Sequence, residues 1–213
     1  MNPYETRQYL KEYLLLHYGS PAELCPYPLA PRAALQFHRR IIQKCLLPVR
    51  FPEPTRGLDI GCAVGRLTFE LARVVDEALG VDNSRSFIRA ANAKRRDLPG
   101  HVRFQVADAA SLKAETFHVV LAVNLICRLP RPRQFLAGLA DLVVPGGQLV
   151  IATPYSWLPQ YTPRRQWIKS GEIPKLLAPQ FELKRRRDLP FLIREHARKF
   201  QFVVPEVLTF VRR

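Results

Sequence analysis

Apolar residues repeat along this chain with two different periods, and the change between them predicts its elements. From Arg56 onward, short apolar runs alternate with stretches whose apolar residues recur at helical spacing. The predicted strands are 57–60, 77–81, 102–106, 117–123 and 148–153, and the predicted helices are 65–75, 84–95 and 133–142. Because strands that alternate with helices pair in parallel, with helices on both faces, this region predicts a doubly wound, Rossmann-like α/β fold.

The N-terminal region departs from this alternation. Residues 3–17 carry apolar side chains at helical spacing, and a second helix is predicted over 31–47. The intervening stretch 19–31 is rich in proline and predicts an irregular loop. Residues 1–50 are therefore expected to form a helical cap.

The C-terminal region predicts the edge of the sheet. The predicted elements are a helix at 164–169 and strands at 181–189 and 200–212, with the charged stretch 194–199 between the strands. These two strands would complete a mostly parallel seven-stranded sheet with an antiparallel edge. The segment 145–147, Pro-Gly-Gly, predicts a turn between the last core helix and its strand. We expect one domain over 1–213, with its catalytic core at 56–213.

Composition narrows the class of protein. Hydrophobic residues make up 47% of the 213 residues, enough to build a core. The N-terminus lacks the features of a secretory signal, and no apolar run approaches the ~20 residues of a membrane helix. We therefore expect a cytoplasmic protein without membrane attachment. The four cysteines show no paired or metal-ligand spacing, so neither a disulfide framework nor a bound metal is expected.

The net charge of +15 is the one extreme value. A basic surface favours polyanions such as nucleic acid. The basic residues are nevertheless spread along the chain, and no aromatic stacking motif accompanies them. A solvated basic surface is the simpler interpretation, and nucleic acid is a secondary expectation.

The clearest chemical signal is the loop 57–66, GLDIGCAVGR, between a strand and a helix. Gly61 and Gly65 permit a tight turn and close approach to a ligand, at the strand ends where such sheets bind ligands. The G-x-G-x-x-G spacing of dinucleotide folds is absent. Asp59 stands instead where a carboxylate would repel a pyrophosphate and attract the cationic methionyl end of S-adenosylmethionine. Ala63 replaces the middle glycine common in such methyltransferases.

Two further carboxylates end the next strands. Asp82 is placed to accept both hydroxyls of a ribose, and Asp108 is placed to accept from the adenine amino group. Three acidic strand ends in order predict a class I methyltransferase that uses S-adenosylmethionine and releases S-adenosylhomocysteine. The expected cofactor-binding residues are Asp59, Gly61, Cys62, Ala63, Gly65, Asp82, Asn83, Asp108, Ala109 and Asn124.

The acceptor is expected beside the later strand ends. Asn124 ends the fourth strand and is the first candidate on the substrate side, while Tyr155 and Trp157 follow the fifth strand and are placed to wall an acceptor ring. The N-terminal helix supplies three more candidates, namely Tyr4, Tyr13 and His17. This helix is expected either to form a lid that excludes water or simply to pack on the core.

Beyond the glycine loop, the sequence resembles the methyltransferase of ovothiol biosynthesis, which often forms the C-terminal domain of the iron-dependent 5-histidylcysteine sulfoxide synthase. The resemblance is carried by the blocks 2–6 (NPYET), 13–19 (YLLLHYG), 58–66, 124–130 (NLICRLP), 145–147, 153–157 (TPYSW) and 188–201 (DLPFLIREHARKFQ). Many methyltransferases share the glycine loop, so the other blocks are the specific ones. The stretches 94–101 and 167–181 look shorter than is usual for that family.

The resemblance implies methylation of 5-thiohistidine at the ring nitrogen nearer the amino-acid backbone, giving ovothiol A. A separate sulfoxide synthase and lyase would then supply this small amino-acid substrate. Its carboxylate and ammonium call for a guanidinium and a carboxylate in the site, which Arg194 and Glu195 would provide. With Asn124 these two form the expected catalytic group, and Arg198 is a further substrate contact. In-line transfer from a sulfonium chiefly requires positioning, and a base only where the attacking nitrogen carries a proton.

Three alternatives stay open at this point. The charge motivates a methyltransferase acting on RNA. The motifs of the fold equally permit methylation of another small imidazole, such as histidine. A non-enzymatic module that binds the cofactor, serving as a scaffold for the synthase, is the third.

Overall fold

The computed structural model describes residues 3–28, 30–95, 101–112 and 115–213. The strands are β1 Arg56–Ile60, β2 Glu77–Asp82, β3 Val102–Val106, β4 Phe117–Val123, β5 Val143–Thr153, β6 Phe181–Asp188, β7 Phe191–His196, β8 Lys199–Val203 and β9 Glu206–Arg212. The helices are α1 Arg7–Tyr18, α2 Pro21–Leu24, α3 Phe37–Cys45, α4 Arg66–Leu71, α5 Arg85–Lys94, α6 Pro132–Gly138 and α7 Glu172–Leu177. Short 3-10 turns lie at Pro3–Glu5, Arg32–Ala34, Ala109–Ser111, Ile126–Arg128, Leu139–Leu142 and Arg164–Gln166.

Seven of these strands form one sheet in the order β3-β2-β1-β4-β5-β9-β6. The first five are parallel neighbours, and β9 runs antiparallel to both β5 and β6. The predicted doubly wound, mostly parallel sheet with an antiparallel C-terminal edge is therefore confirmed. Its parallel strands end at one edge, and the chain leaves each of them through a loop there.

Two cores on opposite faces of the sheet hold these strands in register. In β4, Val120 packs in one cluster with Leu136 of α6, whereas its neighbour Leu121 packs in the other with Ile41 of α3. Successive side chains of a strand point to opposite faces, so a strand covered on both sides reads as a continuous apolar run. Burying one such side chain contributes roughly 1.5–3 kcal/mol.

The C-terminal strands correct part of the prediction. The segment 200–212 is two strands rather than one, because Pro205 has no backbone N–H to continue a ladder. The first piece, β8, pairs with β7 in a separate two-stranded hairpin, with Phe191 opposite Val203. The charged stretch 194–199 is consequently the far end of this hairpin and not a connection between strands of the main sheet.

Shorter elements also differ from the prediction. The Pro-Gly-Gly segment 145–147 lies within β5, at a bulge where Gly146 has a φ of 76°. The loop at 19–31 contains the single turn α2. The helix predicted at 164–169 is only a 3-10 turn, and α7 begins later, at Glu172. Of the short stretch 94–101, residues 96–100 lie outside the described residues.

The described part of the chain also bears on membranes and metals. None of its helices combines the length and the apolar character that a membrane span requires. Across residues 3–28, 30–95, 101–112 and 115–213, no group of three or more His, Cys, Asp and Glu side chains is arranged to hold a metal ion. All four cysteines are free thiols.

Candidate active site

A cavity lies at the carboxyl ends of β1, β2 and β4, under α1 and the β7–β8 hairpin. From the core, its lining includes Asp59, Gly61, Cys62, Ala63, Asp82, Asn83, Ala109 and Asn124. From the N-terminal helices, the turn after β4 and the β7–β8 hairpin, it includes Tyr4, Tyr13, His17, Phe37, His38, Arg128, Phe191, Ile193, Gln201 and Val203. The cavity therefore joins the glycine loop to segments that are far apart in the sequence.

The glycine loop turns sharply from β1 into α4. Gly61, Ala63 and Gly65 all have positive φ, of 77°, 48° and 87°. A Cβ on Gly65 would lie 2.6 Å from the ring of Phe104, so a larger residue there would displace the packing beneath the loop. Gly65 lies behind the cavity lining, where it shapes the loop. Ala63 takes up a left-handed conformation that costs an alanine roughly 1–2 kcal/mol.

Asp59 is a buried carboxylate without a cation beside it. Its side chain accepts a hydrogen bond from the Thr68 hydroxyl at 2.7 Å, and it enters none of the ion pairs of the described residues. Burial raises the pKa of Asp59 to about 7. A ligand that brings a positive charge to this end of the cavity would offset the cost of ionising it.

Asp82 and Asp108 end β2 and β3 in different surroundings. The two oxygens of Asp82 accept from the backbone N–H groups of Ala63 at 3.0 Å and Ser84 at 2.8 Å, and burial raises its pKa. Asp108 is exposed, lies outside the lining, and accepts from the N–H of Ala110 at the start of a 3-10 turn. Of the two, Asp82 is the carboxylate that faces the cavity.

Asn124 follows β4 with its backbone in the left-handed region, at a φ of 55°. Its N–H donates to the carbonyl of Ala152 at 2.8 Å, which ties it to the neighbouring strand. Its side-chain oxygen is buried and has no hydrogen-bond partner within the described chain. A buried acceptor left unpaired costs about 1–3 kcal/mol, so a ligand N–H or O–H would be stabilised here.

The N-terminal segment crosses over the strand ends, which is the position that the expected lid arrangement requires. Tyr13 packs on Phe87 with ring centroids 4.8 Å apart. The Ser84 hydroxyl donates to the carbonyl of Tyr4 at 3.0 Å. The carboxylate of Glu5 accepts from the N–H of Arg85 at 2.8 Å, at the N-terminus of α5. These contacts attach the segment to α5 and to the turn that follows β2.

Two histidines meet at one wall of the cavity. The rings of His17 in α1 and His38 in α3 lie with centroids 3.9 Å apart. Burial lowers the pKa of both, that of His38 to about 3, so both imidazoles are neutral at physiological pH. Nδ1 of His17 is buried without a partner among the described residues. Sequence analysis missed His38, and its only signal was a place on a helix face that packs on the core.

The β7–β8 hairpin separates the predicted charged residues from the cavity. Ile193 and Gln201 line it, whereas the intervening Arg194 points away and donates to the carbonyl of Glu23. Glu195 pairs with Lys199 at 2.7 Å. Its other contact is a bond accepted from the amide of Gln201 at 2.6 Å, so it approaches the cavity only through Gln201. The orientation of Arg194 follows from the alternation of side chains along a strand, and the ladder is irregular from there to His196.

Three other sequence candidates also lie outside the lining. Arg198 sits at the exposed hairpin end, 5.8 Å from the ring of Tyr27. The Tyr155 hydroxyl donates to Glu206 of β9. The indole N–H of Trp157 donates to the carbonyl of Ile168 at 3.0 Å. Roles for these residues at the acceptor stay predictions, and their contacts give each a packing role.

Arg128 is the main residue that sequence analysis missed. It ends the 3-10 turn Ile126–Arg128 just after β4 and lines the cavity. Its Nη1 donates to the carbonyls of Cys127 at 3.1 Å and Ser156 at 2.8 Å. The available signal was its place four residues after Asn124, within a block that carries the family resemblance.

The strand order, the turn after β1 and the cavity over the strand ends define the fold of class I, S-adenosylmethionine-dependent methyltransferases. Residues 58–149 match the family described as a methyltransferase domain. A ubiquinone biosynthesis O-methyltransferase of Parvibaculum lavamentivorans is 36% identical over 107 residues, which cover 49% of this chain and 42% of that protein. The corresponding protein of a Caulobacter species is 34% identical over 104 residues, or 47% of this chain and 41% of the relative. The chain thus spans less than half the length of these relatives.

Solved structures agree on the fold. Magnesium protoporphyrin IX methyltransferase from Synechocystis, with bound SAM, superposes with a TM-score of 0.56 at 21% identity, over 74% of this chain and 69% of that one. The N-methyltransferase NodS from Bradyrhizobium japonicum, in complex with S-adenosylhomocysteine, gives 0.58 at 19% identity, over 74% and 78%. The curated relatives are named as O-methyltransferases, not as enzymes acting on thiohistidine, so the acceptor and the methylated atom belong to the proposal below.

Proposed function

We propose that this chain is a methyltransferase that uses S-adenosylmethionine to methylate 5-thiohistidine at the ring nitrogen nearer the amino-acid backbone, forming ovothiol A. One observation carries the proposal. The blocks 13–19, 124–130 and 188–201, which carry the specific resemblance to the ovothiol family, each contribute residues to the cavity that the glycine loop lines. The blocks that carry the specific resemblance are thus brought together at one site, although they are far apart in the sequence.

The cofactor half of the cavity suits S-adenosylmethionine, which supplies an electrophilic methyl group on a sulfonium. Asp59 offers a buried carboxylate without a cation, as the positively charged methionyl end requires. Asp82 is fixed by two backbone N–H groups and retains lone pairs for ribose hydroxyls. The unpaired oxygen of Asn124 is available to an ammonium or to the acceptor. The described residues form no metal cluster, and the proposed reaction needs none.

The acceptor half suits a small planar ring. Tyr13, Phe37 and Phe191 provide aromatic surface, against which an imidazole can stack. Nδ1 of His17 is free to accept a hydrogen bond from a ring N–H and would orient the opposite ring nitrogen. Holding the two reacting atoms close and in line is the main task of the protein in such a displacement.

A second candidate is O-methylation of a small hydroxylated ring. It is favoured by the names of the curated relatives and by the largely uncharged acceptor half. Action on RNA is motivated by the net charge of +15 alone, and it predicts binding that weakens steeply with salt. A chain that binds the cofactor and methylates nothing would be the scaffold module.

The test is incubation of the purified protein with S-adenosylmethionine and, separately, 5-thiohistidine, histidine, a catechol and a short RNA. Mass spectrometry would follow S-adenosylhomocysteine and each methylated product. Methylation of thiohistidine alone supports the proposal and implies that sulfur is recognised. If only the catechol is methylated, the O-methyltransferase candidate is supported instead. Elution of the protein from a heparin column at low salt would argue against action on RNA.

A further inference from the structure

Arg128 places a positive charge on the wall of the cavity. Its side chain is half-buried and lies with its guanidinium carbon 5.3 Å from the ring centroid of Tyr161. The two backbone carbonyls that hold it both accept from Nη1. The Tyr4 side chain is also hydrogen-bonded to this guanidinium. The guanidinium is therefore fixed in place by two backbone carbonyls and a neutral phenol.

This charge has no counter-ion within the described chain. Arg128 enters none of the ion pairs formed there. The ionisable groups that act on its pKa are Cys127, Tyr4 and Tyr13, and burial raises the pKa of each, so all three are neutral at pH 7. A half-buried cation among neutral groups is a site for an anion.

Its place in the fold separates Arg128 from the cofactor anchors. Asp59 and Asp82 belong to β1 and β2, whereas Arg128 follows β4 and is bonded to Ser156 beyond β5. In the order β2-β1-β4-β5, β5 is two strands from β1, or about 10 Å at the usual strand spacing. The backbone of Arg128 thus lies on the acceptor side of the sheet, and its guanidinium reaches Tyr4 of the N-terminal segment.

We infer that Arg128 binds the carboxylate of the methyl acceptor, so that the enzyme selects acceptors that are amino acids over the same rings without a carboxylate. The inference rests on the proposed function and deepens it by assigning substrate recognition to a residue other than Arg194. A guanidinium pairs with a carboxylate through two parallel hydrogen bonds, which would also fix the direction from which the acceptor ring enters.

The experiment compares 5-thiohistidine with its decarboxylated counterpart, 5-thiohistamine, in the wild type and in Arg128→Met. We expect the wild type to prefer thiohistidine by about 50-fold in kcat/KM, as is usual for loss of one partner of a charged pair. Arg128→Met should lower kcat/KM for thiohistidine by about 50-fold and for thiohistamine by less than 3-fold. The control, Arg194→Met, removes a guanidinium outside the cavity and should keep the preference.

Calorimetric binding of S-adenosylhomocysteine distinguishes the two carboxylates that the site could meet. If Arg128→Met weakens that binding as strongly as it weakens use of thiohistidine, the arginine pairs with the cofactor and the inference is overturned. Equal losses for both acceptors would overturn it as well, in favour of a structural role. If Arg128→Met fails to fold, Arg128→Lys is the second variant, since lysine keeps the positive charge but cannot form the two parallel hydrogen bonds. It is expected to retain part of the preference for thiohistidine. Full loss of that preference would also contradict the inference.

Failure of the proposed function gives a different result. If the wild type methylates neither acceptor, binding of propionate to the protein saturated with S-adenosylhomocysteine still tests the anion site. Binding by the wild type that is lost in Arg128→Met supports the inference, and equal binding by the two, or binding by neither, overturns it.

Discussion

The two halves of the cavity differ in construction and in the charge that they leave uncompensated. The cofactor half is built on consecutive strand ends, where Asp59 and Asp82 have only neutral hydrogen-bond donors. The acceptor half is assembled from α1, the turn after β4 and the hairpin, and it presents aromatic rings, neutral imidazoles and the unpaired charge of Arg128. In the proposed reaction a cation would complete one half and an anion the other, so these charges would help to orient the two ligands relative to each other.

The largest expected effect is loss of the cofactor in Asp82→Ala. This change removes the proposed ribose contact and the acceptor for the N–H of Ala63, so the loop loses support together with the ligand. We expect the Kd of S-adenosylhomocysteine to rise about 100-fold by calorimetry, since bonds to a charged group contribute up to about 3 kcal/mol. Asp108→Ala removes a similar cap outside the cavity and should cost less than about 5-fold. Equal losses in both variants would show that the third strand end belongs to the cofactor site after all.

Asp59→Asn is expected to weaken cofactor binding by about 20-fold while stabilising the empty protein. Asparagine still offers an oxygen to Thr68 but carries no buried charge. The pKa of Asp59 is raised to about 7 in the fold, above its value of about 3.9 when unfolded. The folded state therefore holds a proton between these values, and wild-type stability falls as the pH rises from about 4 to 7.

Thermal unfolding at pH 5 and pH 8 tests this sign. The variant should exceed the wild type at pH 8 by roughly 2 kcal/mol in unfolding free energy and by less at pH 5. Parallel pH profiles for the two proteins would mean that Asp59 is already ionised in the empty cavity.

His17→Phe tests the acceptor half on its own. The ring contact with His38 is retained but Nδ1 is lost, so the KM of the acceptor should rise about 10-fold and the Kd of S-adenosylhomocysteine should change less than 2-fold. His196→Phe, at the exposed hairpin end, is the matched control. Because burial lowers the pKa of His17 and His38, neither imidazole should contribute a titration to kcat/KM between pH 6 and 8. A change in cofactor affinity equal to that in acceptor KM would remove the distinction between the halves.

The smallest expected effect concerns how the N-terminal segment is attached. Glu5→Gln weakens the interaction of its carboxylate with the N-terminus of α5. Stopped-flow displacement should show S-adenosylhomocysteine dissociating about 3-fold faster. Glu12→Gln, which alters a side chain whose hydrogen-bond partner in the described part of the chain is Gln8 on the same helix, should leave the rate unchanged. Identical rates in all three proteins would show that the segment does not control release.

The two halves also differ in how far they could be predicted. Asp59, Gly61 and Asp82 were assigned from local patterns, because a strand, a tight turn and a helix place them within a few residues. Arg194 and Glu195 were chosen for their charge within a specific block, yet Arg194 points away from the cavity and Glu195 pairs with Lys199. Pro205 marks the break between β8 and β9. No local pattern shows that β7 pairs with β8, or which face of that hairpin meets the cavity.

By itself, the sequence determined the alternation of strands and helices, the parallel sheet with its antiparallel edge, and the loop and carboxylates on the cofactor side. These depend on hydrophobic period and on turns of a few residues. Only the tertiary structure decided that His17 meets His38, that the hairpin presents Ile193 and Gln201 to the cavity, and that Arg128 stands there without a counter-ion among the described residues. Such relations depend on the packing of distant segments and on the register between strands, which no local pattern encodes.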